Sequence, residues 1–170
     1  MSDNHNFLAL DWVKSEIEET LKQAQQALEA YIANPYDVAK LRFCLAYLHQ
    51  IFGTLQMVEF YGAAMLAEEM EKLCLSLVNH KVVDSTQAHH ALIDAMLQLP
   101  AYLERLQVAK RDTPFVLLST INALRVAHDE APLSELALFK PDFVRVFSVL
   151  SQSGVAPFPK KKKKIRHGYQ

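Results

Sequence analysis

Apolar residues recur along this chain at spacings of three and four, the pattern of helices that bury one face and show the other to water. The first stripe is Val13, Ile17, Leu21, Ala24, Leu28 and Ile32. It predicts a helix that starts after Asp11, a good N-cap, with Glu16, Glu18 and Glu19 supplying the negative charge that suits a helix start. Asn34-Pro35 ends it, because the residue before a proline avoids helical geometry. A second stripe, Leu41, Leu45, Leu48, Phe52 and Leu55, predicts a helix from near Asp37 to about Tyr61, with Gly62 as its natural break. A third helix covers 63–79, with Leu66, Met70, Leu73 and Leu77 inward and Glu68, Glu69, Glu71 and Lys72 on the polar side.

Asp84 or Ser85 caps a fourth helix that buries Ala91, Leu92, Met96, Leu99, Leu103 and Leu106. Pro100 falls inside it, where a kink or break is expected. Thr113-Pro114 pairs a capping hydroxyl with proline at the first helical position and opens a fifth helix to about His128. Residues 133–150 keep an apolar series (Leu136, Leu138, Phe139, Phe143, Val146, Phe147, Leu150) and are expected to wrap onto the bundle. The fold class that follows is all-α: an antiparallel four-helix bundle with a fifth helix and a C-terminal wrap. Residues 8–150 form the domain and 151–170 a flexible basic linker or tail.

Composition supports this and narrows the function classes. Only Gly53, Gly62, Gly154 and Gly168 are glycine, too few for a chain built on tight turns. The formal net charge is −1, but the lysines at 160–164 and Arg166 put six cations in the tail, leaving residues 1–159 at −7. An acidic body argues against a nucleic-acid partner. Cys44 and Cys74 form no CxxC pair, which suggests reduced, buried thiols in a cytoplasmic protein. There is no signal-peptide pattern at the N-terminus and no apolar run near the ~18 residues of a membrane span, so no stable membrane insertion is expected.

Metal and nucleotide chemistry find no footing. None of the seven histidines has Glu three residues before it, as a di-iron bundle requires, and there is no HExxH, CxxCH or GxxxxGK[ST]. No metal and no cofactor are expected. His5, His80, His89, His90, His128 and His167 fit ordinary surface positions.

His49 differs. Gly53 lies one turn beyond it on the same helix face, and a glycine inside a helix costs about 1 kcal/mol relative to alanine. The face reads Arg42, Ala46, His49, Gly53, Gln56, with Gln50 alongside: small or polar residues opposite the Leu/Phe stripe. His49 should therefore stand outward and approachable, with an imidazole that is nucleophilic near neutral pH. Such a residue serves as a phosphoryl carrier whose partner supplies metal and charge stabilisation. The plainer alternatives are a solvated histidine, and a glycine that permits close helix packing.

The segment Leu48-His49-Gln50-Ile51-Phe52-Gly53, followed by Leu66-Ala67-Glu68-Glu69-Met70-Glu71-Lys72-Leu73, resembles the histidine phosphotransfer (HPt) family. That family carries His-x-x-Lys-Gly and a downstream Leu-x-x-x-Leu-Glu-like helix. The stretch 47–73 and the opening 10–31 look like the N-terminal HPt-like domains of the ChpA/PilL hybrid kinases of type IV pilus twitching motility, and like their stand-alone FimL-type relatives. The resemblance covers residues 8–150. It implies a chemosensory phosphorelay module, inactive by itself, in which His49 exchanges phosphate with a receiver-domain aspartate or a CheA-like kinase domain. Its partners would be pilus-system signalling proteins, and the tail predicts a linker to further domains. Two positions depart from the pattern: Phe52 stands where the family has Lys, and Glu59 where it has Gly. The alternative is a degenerate, non-catalytic HPt-like scaffold that binds signalling partners.

Overall fold

A computed structural model describes residues 2–138, whose regular structure is all helix, without strands. The helices are α1 (Ser2–Ala33), α2 (Val38–Met57), α3 (Tyr61–Val78), α4 (Ser85–Ala109), a 3₁₀ turn (Pro114–Leu117), α5 (Leu118–Ala127) and the short α6 (Glu135–Leu138). α1 packs on α2 and α4, α2 on α3, and α3 on α4 and α5. The expected wrap beyond residue 138 and the basic tail lie outside the described residues.

Several boundaries differ from those the sequence suggests, each for a physical reason. α1 starts at Ser2 and not after Asp11, because its apolar stripe extends back through Leu10 to Phe7. Phe7 packs on Phe60 with ring centroids 5.4 Å apart. Asp11 therefore sits inside the helix, accepting from the Gln107 side chain at 2.8 Å instead of capping.

α2 ends at Met57, before Tyr61. Glu59 takes a left-handed backbone, φ 63°, and the bonds Glu59 N–H to Gln56 O and Phe60 N–H to Leu55 O close a Schellman turn. His80 (φ 54°) and Asp129 (φ 65°) end α3 and α5 with the same pair of bonds. Gly62, expected as a helix break, lies buried in the first turn of α3. A Cβ there would approach Pro114 Cβ to 2.7 Å, so the missing side chain admits the 3₁₀ turn.

The buried stripe of α2 is Leu41, Cys44, Leu48, Ile51 and Leu55, with Leu45 and Phe52 flanking it half-buried. α4 runs unbroken through Pro100, and Asp84 caps it by accepting from Gln87 N at 3.0 Å. Thr113 makes no side-chain capping bond; Pro114 opens the 3₁₀ turn that leads into α5. Cys44 and Cys74 are free and buried. The Cys74 thiol is held well above its ordinary range by its hydrogen bond with Cys44 and by burial.

These backbone assignments are testable by equilibrium urea unfolding. His80→Gly, which relieves a left-handed side-chain residue, is expected to raise stability by about 1 kcal/mol. Gly62→Ala is expected to lower it by roughly 1–3 kcal/mol through the clash with Pro114.

Candidate functional site

The inward stripe of α2 leaves the opposite face of that helix in water. Arg42, Ala46, His49 and Gln50 are exposed there, while Gly53 and Gln56 are half-buried. The His49 side chain is 72% exposed. A Cβ built on Gly53 meets nothing within 4 Å, so bare backbone and open space lie one turn beyond the imidazole. Gly53 therefore serves no close helix packing.

α3 supplies a partner that the sequence reading missed. Glu71 Oε1 lies 2.7 Å from His49 Nδ1. Only an N–H makes that contact with a carboxylate favourable, so Nδ1 donates; in the neutral ring the lone pair is then on Nε2, away from Glu71. The pair stands at the α2–α3 junction, with the apolar side chains of Phe43 and Leu75 also about half exposed. Among the described residues no cation pairs with His49 or with Glu71; Lys72 is turned to Glu68 and Glu69, at 3.5 and 3.6 Å.

Glu69 corrects the polar side assigned to α3. It is 3% exposed and faces α5, where Arg125 Nη1 donates to its Oε1 at 2.8 Å. His128 Nε2 lies 3.5 Å from Glu69 Oε2, and its side chain is 7% exposed, so His128 is no surface residue. Arg125 Nε also donates to Ala131 O at 2.7 Å, and the Asn122 side chain brackets the Leu133 backbone at 2.7 and 3.1 Å. This buried cluster ties α5 and the loop after it to α3. The signal was present in the sequence: Glu69 falls three residues after Leu66 and four before Leu73, on their face.

The His49 surface is not a cavity. Two shallow grooves, one between α4 and α5 at His90 and Asn122, the other at the end of α4 beside Arg105 and Arg111, both lie away from it. Among the described residues no group of three His, Cys, Asp or Glu side chains is placed to hold a metal ion, and no helix is long and apolar enough to cross a membrane. An open helix face of this kind suits contact with a macromolecule more than capture of a small molecule.

Comparison with known proteins adds a family. The profile of the FimL C-terminal domain matches residues 8–124, from α1 almost to the end of α5. Scaffold protein FimL of Pseudomonas aeruginosa strain PAO1 is 29% identical over 169 residues, covering 95% of this chain. The chain spans about 30% of that relative's length. No solved structure matches.

The two acidic contacts of α3 should separate cleanly in unfolding experiments. Arg125→Met strips the nearest cation from a buried carboxylate and is expected to cost about 3 kcal/mol. His49→Ala loses an exposed pair and is expected to cost under ~1 kcal/mol. Equal losses would contradict the placement of Glu69.

Proposed function

This chain belongs to the FimL C-terminal domain family, and from that premise we propose that it is a non-catalytic, HPt-like scaffold domain that binds signalling partners. The observation that carries the reading is likeness along nearly the whole chain to a protein named as a scaffold. The surroundings of His49 favour it too. A phosphoryl group brings negative charge that must be balanced, and the nearest ionisable neighbour of the imidazole is the Glu71 carboxylate. Phe52, half-buried where the HPt pattern has lysine, supplies no compensating cation.

In this reading α1 to α4 form an antiparallel four-helix bundle, consistent with the closed ring of contacts α1–α2, α2–α3, α3–α4 and α4–α1. Residues 8–150 make up the domain and 151–170 a basic linker. The protein works in the cytoplasm, in a chemosensory system of the type that controls type IV pilus twitching. The α2–α3 face around Arg42, Ala46, His49, Gln50, Gly53 and Gln56 receives a response-regulator receiver domain or a CheA-like kinase domain.

One observation favours a second reading, a working phosphotransfer module. The Nδ1 contact with Glu71 directs the lone pair of the neutral ring to the exposed Nε2, the arrangement of a nucleophile. Incubation with phosphorylated receiver domains distinguishes the two. The scaffold reading predicts no acid-labile, base-stable phosphate on the chain. Label that disappears in His49→Gln would overturn it in favour of phosphotransfer.

A further inference from the structure

The outward face of α4 carries a pattern that neither the bundle nor the His49 surface uses. α4 buries Ala88, Leu92, Ala95, Met96, Leu99, Leu103 and Leu106. On the opposite side, His90, Ile93, Leu97, Ala101 and Glu104 follow one another at steps of three, four, four and three. All five are exposed, Ile93 at 39% and Leu97 at 61%. Leu97 leaves most of its surface, and Ile93 over a third of its own, unburied by the fold that displays them.

The order of steps reads the same in both directions from Leu97. An antiparallel copy of the same helix, related by a two-fold axis through Leu97, therefore meets this face in register. Leu97 then faces Leu97 of the partner subunit, and Ile93 faces Ala101 of the partner subunit. At each end His90 meets Glu104 of the partner subunit, so an imidazole N–H donor faces a carboxylate acceptor twice. Among the described residues neither His90 nor Glu104 has an ion-pair or hydrogen-bond partner of its own within the chain. The spacing is that of any helical stripe; the match in size (Ile against Ala) and the complementary polarity of His90 and Glu104 at the ends favour a second copy over an unrelated helix.

We propose that the outward face of α4 is a self-association surface, through which two copies of this chain pair antiparallel about Leu97. This goes beyond the scaffold reading and stands without it, because the face lies on a different helix from His49. With three apolar side chains per copy the contact is small, so association belongs in the micromolar to sub-millimolar range.

The test uses the 170-residue chain. Sedimentation velocity at roughly 100 µM should show a dimer in exchange with monomer, and Leu97→Glu should shift it to monomer with an unchanged circular dichroism spectrum. His90→Glu should weaken the dimer, and adding Glu104→Lys should restore it. Leu97→Cys, with position 97 on the two-fold axis, should form an interchain disulfide under mild oxidation. Ile93→Cys should not, because its two copies lie about 12 Å apart along the helices, beyond disulfide reach. The native cysteines are buried, and the unsubstituted chain is the control for them. A wild-type chain that stays monomeric would overturn the proposal, and so would crosslinking at position 93 as efficient as at 97.

Discussion

Leu41, Cys44, Leu48, Ile51 and Leu55 of α2 share one dry core with Leu66, Met70, Leu73 and Leu77 of α3, and everything on the outer surface depends on that seam. Each fully buried side chain of this size contributes about 1.5–3 kcal/mol, against roughly 0–1 kcal/mol for an exposed ion pair. The seam therefore positions His49 against Glu71, and their contact at 2.7 Å is a consequence of helix packing, not its cause. Because the inward residues of α2 are committed to the core, the side opposite them has no choice but to present Arg42, Ala46 and His49 to solvent.

α3 is the helix that joins both halves of the molecule. Two carboxylates two residues apart leave it in different directions: Glu71, half-buried, toward α2, and Glu69 toward α5 with the protein closed over it. The same side-chain chemistry serves different ends in the two environments. Half-buried at the surface, Glu71 orients an exposed imidazole. In the interior Glu69 needs cations, which Arg125 and Lys72 supply at 2.8 and 3.6 Å, with the His128 ring 3.5 Å away. That cluster holds α5 and the loop to Leu133 against α3.

The helices themselves were legible because their stripes are long and regular, and so was the exposure of His49, which follows from the side of α2 it occupies. The helix ends were not. Glu59, His80 and Asp129 adopt the left-handed conformation that sequence reasoning reserves for glycine, so three Schellman turns gave no compositional signal. The one glycine nearby, Gly62, is needed for the close approach of Pro114 and pointed to the wrong residue. The start of α1 was misjudged because Asp11 reads as an N-cap, although Leu10 continues the Val13–Ile17 spacing; in the structure Asp11 accepts from Gln107 at 2.8 Å. Glu69 was misplaced because a carboxylate reads as surface even on the face of Leu66 and Leu73, and its partners Arg125 and His128 stand 56 and 59 positions further along the chain.

On the proposed scaffold reading, the exposed His49 contributes contact area and hydrogen bonding and carries no phosphoryl group. The most direct measurement is the affinity of the chain for response-regulator receiver domains of the same organism, by titration calorimetry, with wild type and with His49→Ala. The account predicts binding with dissociation constants that agree within about threefold, a difference under ~1 kcal/mol. Binding abolished by that single substitution, with the fold intact, would contradict it.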